Sequence, residues 1–301
     1  MDNPLVSIVI NNYNYARFLQ EAIDSALNQT YPHFEVVVVD DGSTDNSQDI
    51  IKSYGDKIVP VLKTNGGQAS AFNAGFAASR GDIICLLDSD DMFVPTKVAE
   101  IVNIFRSYQD VGWCYHLLQL IDANTEKFIK SSYTFSSCEC DLRSALKKGK
   151  LRGKLLCNPA TSGLCFMRSV LQQILPMPEA KNVSISDNYV KFTAVALSKG
   201  FALAKELSFQ RIHDANAFSL RKDKQRLEAR IHILTAYWMR IKFPCMKKFA
   251  NNSFATGLGT YWRIGGIETE YQEFVKSYQS SVTLMEELEI SLRAIYHSLK
   301  L

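Results

Sequence analysis

Residues 82–95 read "DIICLLDSDDMFVP": an apolar run of strand character, then Asp88, Asp90 and Asp91 in close succession, then Pro95. Carboxylates this close repel one another and raise one another's pKa, so the stretch asks for a positive partner. The run does not stand alone. Upstream lie three similar ones, "VSIVI" (6–10), "EVVVVD" (35–40) and "KIVPVL" (57–62). The second is almost wholly β-branched, as in a strand buried on both faces. Between them, "ARFLQEAIDSALNQ" (16–29) sets Phe18, Leu19, Ala22, Ile23, Ala26 and Leu27 on one helical face. "DGSTDNSQDIIKSY" (41–54) opens with turn and N-cap residues, and "QASAFNAGFAASRG" (68–81) is a small-residue helix stopped by Gly81. This β-α-β-α rhythm predicts an α/β fold, a mostly parallel Rossmann-like sheet flanked by helices.

In such sheets ligands bind beyond the carboxyl ends of the strands. Each of the four strands ends in a polar cluster there: "NNYN" (11–14), "DDGSTD" (40–45), "KTNGGQ" (63–68) and "DSDD" (88–91). A solvated edge explains one or two of these, not the paired acidic clusters together. Hard divalent cations such as Mg²⁺ or Mn²⁺ take carboxylate oxygens and share their shell with substrate phosphate. A cation arriving with a diphosphate is therefore the expected counter-charge.

The chain has 301 residues, 47% hydrophobic and 22% charged, an ordinary globular balance. A net charge of +3 gives no support for nucleic-acid binding. No apolar run reaches the roughly 18 residues of a membrane-spanning helix. "MDNPLVSIVINN" has no basic region before its apolar stretch, so it reads as a first strand and not a signal peptide. Seven dispersed cysteines without a CxxC pair suit a reducing cytoplasm. The expected location is cytoplasmic, with the inner face of the membrane as an alternative.

Past residue 110 the rhythm loosens. "VGWCYHLLQLID" (111–122) reads as one long strand or a strand pair, and 143–154 carry six basic side chains and no acid. "SISDNYVKFTAVALSKG" (184–200) is a helix with an early acid, and "FALAKELSFQRIHDANAFS" (201–219) a strand leading into a polar loop. From about 222 onward the spacing is helical. The expected organisation is 1–110, 111–220 as the second half of the same domain, and a helical extension at 221–301. "RIKFPCMKKFA" (240–250) mixes basic and apolar residues, a composition suited to an anionic membrane surface. Packing on the chain itself or on a partner chain is the other reading.

"PLVSIVINNYNYARFLQEAIDSALNQTYPHFEVVVVDDGSTDNS" followed by "NGGQASAFNAGFAASRGDIICLLDSDDMFVP" resembles the nucleotide-sugar-binding half of family 2 glycosyltransferases of the GT-A type, nearly unbroken through residues 4–100. A weaker likeness extends to about 220. The resemblance implies a metal-assisted, inverting transfer from a nucleotide-diphospho-sugar to a hydroxyl of a glycan, lipid-linked or other acceptor. It places the nucleotide sugar among Asn12, Tyr13, Asp40, Asp41, Asn65, Gly66, Gly67, Arg80, Asp88, Ser89 and Asp90. Tyr13 would stack on the base, Asp41 would accept from a ring N–H, and Asp40 would support the turn. "LDSDD" resembles the DxD signature, with Asp90 and Asp91 as metal residues and Asp88 beside them. "SDNY" (186–189) resembles the block whose aspartate is the general base, here Asp187, although Ser186 stands where an acid is commoner. His213, in "RIHDANAFS" (211–219), would join the metal or leaving group. Arg80 either orients the acidic turn or a phosphate, or is a plain helix C-terminal charge.

A nicotinamide-dependent enzyme would need GxGxxG after the first strand, where "NNYNYA" (11–16) has no glycine. A nucleotidyltransferase would need a glycine- and basic-rich loop there. A non-catalytic nucleotide-sugar-binding or scaffold protein on the same fold is the remaining alternative.

Overall fold

The computed structural model describes residues 3–125, 127–129, 135–151, 153–179, 187–214 and 223–300. The first half alternates as its periodicity predicts: β1 Val6–Asn12, α1 Ala16–Leu27, β2 Phe34–Asp40, α2 Ser47–Ser53, β3 Val59–Leu62, α3 Gln68–Ala78 and β4 Ile83–Asp88. After it come β5 Met92–Phe93, α4 Lys97–Ser107, β6 Val111–Asp122, β7 Phe128–Ile129, β8 Cys138–Cys140 and α5 Arg143–Lys147. Then follow β9 Leu164–Met167, α6 Arg168–Ile174, α7 Asp187–Leu197 and β10 Lys199–Ile212. The chain closes with helices α8 Lys224–Lys242, α9 Lys247–Arg263, α10 Gln272–Ser280 and α11 Leu284–Leu299.

The strands join one sheet in the order β3-β2-β1-β4-β9-β6-β10-β5. β3, β2, β1 and β4 are parallel, so their carboxyl ends share one rim. Register aligns the tips: Asn12 lies opposite Asp40, and Asn11 opposite Asp88. β9 enters antiparallel between β4 and β6, making the second half of the sheet mixed. Register shifts between Leu203 and Ser208 interrupt β10, whose later residues Ser208 and Phe209 pair with β5. Because β5 follows β4 by only a few residues, the acidic turn ties the parallel half to the end of β10.

Successive residues of β1 serve opposite faces, as a strand covered on both sides requires. Ile8 and Ile10 belong to one core with Leu19, Ile23, Val98 and Ile101. Val9 belongs to the other, with Phe72 of α3 and Tyr189 and Val190 of α7. The small residues of α3 have a reason. A Cβ on Gly75 would stand 2.4 Å from Cγ1 of Val9, so glycine lets this helix lie close on the sheet.

Arg240 of α8 is buried and pairs bidentately with Glu286 of α11, while also donating to Asn251 of α9. Hydrogen bonds from Arg240, above all, hold the Glu286 carboxyl down to about 2. The same packing supports the reading of 240–250 as packed on the chain itself. Arg240, Met246 and Ala250 are buried and Phe243 and Phe249 pack on the core, while Ile241, Pro244 and Cys245 are exposed.

Candidate active site

The rim is assembled from the strand tips. Asp40 is fully buried and accepts from Asn12 Nδ2 (2.9 Å), the Ser43 N–H (3.0 Å) and Gln48 Nε2 (3.1 Å). It locks the β2 turn onto β1 and offers nothing outward. Asp41 accepts from Lys63 Nζ (2.6 Å) and from the N–H groups of Gly66 (3.0 Å) and Gly67 (2.7 Å). Asn65 donates to the Asp41 carbonyl at 3.0 Å. The carboxylate thus shapes the glycine loop, whose Gly67 has a φ of +82° that few other residues adopt. Tyr13, just past β1, leaves the rim 47% exposed, free to meet a planar ligand.

At the end of β4 the Asp91 N–H donates to the Asp88 carbonyl (3.0 Å) and closes the turn. Both Asp91 carboxylate oxygens are engaged: Oδ2 accepts from Ser162 Oγ (2.6 Å) and Oδ1 from the Arg211 N–H (3.0 Å). Asp91 therefore braces the turn against the segment before β9 and against β10. Asp90 Oδ2 lies 3.1 Å from Nε2 of His213, which is buried against Phe18 (ring centroids 4.5 Å apart) and Tyr15 (5.7 Å). Ser89 is buried between the acids. One ligand atom from each of Asp88, Asp90 and Asp91 lies within 4.8 Å of the others. Three oxygen donors without sulfur fit a hard divalent cation.

The like charges strain one another. Burial, then Asp90, Asp91 and Asp187, push the Asp88 carboxyl well above the usual range. Burial and Asp90 push Asp91 up to about 8, against the pull of Ser162 and Arg211. A divalent cation bound there would relieve this repulsion.

Asp187 opens α7 and belongs to the same acidic field, since its charge is among those raising Asp88. Lys191, one turn later on the same helix side, lies 3.5 Å from its carboxylate and also donates to the Pro159 carbonyl (3.1 Å). Ser186 falls outside the described residues, as do Arg152 of the basic run and 215–219 of "RIHDANAFS".

Arg80 is not brought to the rim. It precedes β4, whereas the acidic turn follows it, and its exposed guanidinium pairs with Glu35 at 3.0 Å. The reading of Arg80 as an orienter of the turn is therefore corrected. Several neighbours escaped the sequence reading. Asn11 lies opposite Asp88 in register, and neither buried atom of its amide has a hydrogen-bond partner among the described residues. Its signal was present in "NNYN". Ser162, Lys191 and Arg211 carry no local signal, because only tertiary folding brings them to the acids.

A family model described as "Glycosyl transferase family 2" matches residues 7–175. The chain belongs to glycosyl transferase family 2. An uncharacterized glycosyltransferase of Nostoc sp. is 40% identical to this family 2 chain over 215 residues, covering 70% of the chain and 66% of the relative. The chain spans about two thirds or less of the length of the curated relatives it matches. Among solved structures, Staphylococcus aureus TarS 1-349 in complex with UDP-GlcNAc superposes with a TM-score of 0.66 at 18% identity, covering 97% of this chain and 87% of that one. Mannosyltransferase PcManGT from Pyrobaculum calidifontis, in complex with GDP-Man and Mn²⁺, gives 0.53 at 15% identity over 99% and 86%. The fold of this family 2 member is that of GT-A glycosyltransferases, and "DSDD" fits their DxD motif.

Proposed function

We propose that the chain moves a sugar from a nucleotide-diphospho-sugar to a hydroxyl of a glycan or lipid-linked acceptor, with inversion at the anomeric carbon. The observation that carries this reading is the gathering of Asp88, Asp90 and Asp91 within 4.8 Å of one another at the carboxyl rim of the parallel strands. Tyr13 offers a stacking face for the base, worth roughly 1–3 kcal/mol. The Asp41-braced loop of Gly66 and Gly67 allows close backbone approach to base and ribose. Asp88 and Asp90, with Asp91 behind them and His213 beside Asp90, would hold Mg²⁺ or Mn²⁺, which sets positive charge against the departing diphosphate. Asp187 accepts the proton of the acceptor hydroxyl as the new C–O bond forms on the face opposite the leaving group. Lys191 orients that carboxylate. No helix among the described residues is long and apolar enough to cross a membrane.

Thermal-shift screening of uridine, guanosine and thymidine diphospho-sugars, each in Mn²⁺ and in EDTA, tests the donor assignment. One base is expected to raise Tm in Mn²⁺ alone. Equal shifts in EDTA would contradict metal-bridged binding. Tight binding with neither transfer nor slow donor hydrolysis would favour the scaffold reading.

Proton and cation compete at the acidic turn. With Asp91 at about 8 in the folded protein and about 4 when unfolded, the native state holds an extra proton between those values. The metal-free protein therefore loses stability as pH rises through that window. The Tm increase caused by Mn²⁺ should grow from about pH 6 to about pH 8, checked by scanning fluorimetry. A constant or shrinking increment would count against the cluster as the cation site.

A further inference from the structure

α11 is built from its first turn by a capping box, in which Thr283 and Glu286 exchange hydrogen bonds between side chain and backbone. Its inner side is committed: Ile290 and Ala294 are buried, and Gly259 of α9 allows the α11 backbone close approach, since a Cβ there would lie 2.3 Å from the Ala294 carbonyl oxygen. The outer side carries a second apolar stripe. Met285, Leu288, Leu292, Ile295 and Leu299 are 68, 60, 69, 49 and 77% exposed. Their spacing of three, four, three and four is the a/d repeat of a two-helix seam. Single exposed apolar residues need no explanation, whereas five in register along one helix face form a contiguous patch of the kind that binding surfaces use. Leu292 of the stripe, with Glu289, Arg293 and Tyr296 beside it, also borders a cavity of about 810 Å³.

Charge around the stripe selects the occupant. At about 100° per residue, Glu289, Arg293 and Lys300 fall along one edge of the seam, whereas Leu284, Ser291 and Ser298, with Glu287 farther round, form the opposite edge. In an antiparallel pair of identical helices, like edges meet. Glu289 of one copy then lies by Arg293 of the other, and two-fold symmetry repeats the contact. A parallel pair would set this edge against the serine edge, whose one charge is Glu287, and leave Glu289 without an opposite charge. An anionic membrane gains no net attraction here, because Glu286 is paired with Arg240 and exposed Glu287 and Glu289 offset Arg293 and Lys300. We propose that α11 joins two copies of this chain through an antiparallel helix seam. The seam lies on the C-terminal helices and its failure would leave the transferase reading untouched.

Sedimentation velocity on the full chain is expected to give a dimer at micromolar concentration. Leu292→Glu should give a monomer whose melting by circular dichroism stays cooperative. Glu289→Arg and Arg293→Glu, both at exposed positions that the fold tolerates, should each weaken self-association roughly tenfold through like-charge contact. Mixing these two variants should restore a dimer of unlike copies, and the double variant should self-associate again. A wild-type monomer at about 100 μM, variants that remain dimeric, or a mixture that fails to reassemble would each overturn the proposal. So would a monomer that binds phosphatidylcholine or phosphatidylglycerol vesicles through the same face.

Discussion

Asp187→Asn is expected to lower kcat for sugar transfer by roughly 10²- to 10⁴-fold, the usual contribution of a positioned general base. Asparagine keeps the shape of the side chain and the start of α7, so donor binding and Tm should change little. The contrast with a structural role is sharp. An acid that merely complements the N-terminal dipole of a helix contributes about 0.3–1 kcal/mol to stability and nothing to turnover. The 3.5 Å pairing with buried Lys191, together with the influence of Asp187 on Asp88, ties this carboxylate to the acidic turn and to the interior beneath it. Steady-state kinetics with the true acceptor separate the readings. A variant with near-normal kcat would remove Asp187 from the mechanism.

Asp90→Ala and Asp91→Ala should fail differently, although both remove a carboxylate from the same turn. Asp90 touches His213 and borders the open side of the cluster, being 9% exposed. Its loss should abolish transfer and metal-dependent donor binding while the protein melts nearly as before. Asp91 holds Ser162 and the Arg211 N–H across three elements. Removing it leaves buried donors unsatisfied at about 1–3 kcal/mol each, so Tm should fall along with activity. Parallel melting curves and donor titrations check the split. Equal melting temperatures for the two variants would mean that the brace assigned to Asp91 is wrong.

Much of the first half of the chain could be read directly. The short apolar run of β1 and the β-branched run of β2 are local signals, and parallel pairing followed from the intervening helices. The four polar tips therefore fell on one rim without reference to any partner. The second half resisted for a physical reason. β9 is only four residues long, and its place between β4 and β6 is decided by long-range pairing and not by its own pattern. For the same reason Ser162 and Arg211 could not be linked to Asp91. Arg80 was misplaced because its nearness in sequence to "DIICLLDSDD" hides the length of β4 between them: six residues at about 3.3 Å each carry the acids to the opposite end. His213 was legible only by position, and its contact with Asp90 depends on the turn reaching the end of β10. The C-terminal helices were recognisable by spacing, but the inward packing of Phe243, Met246 and Phe249 was not, since composition does not say which way a side chain turns.

The most direct test is calorimetric titration of the donor's nucleoside diphosphate into the wild-type protein, once in Mn²⁺ and once in EDTA. Acidic strand tips that exist to hold a cation against a diphosphate predict saturable binding in Mn²⁺ and at least a tenfold loss in EDTA, about 1.4 kcal/mol. The same affinity in both buffers would contradict the account.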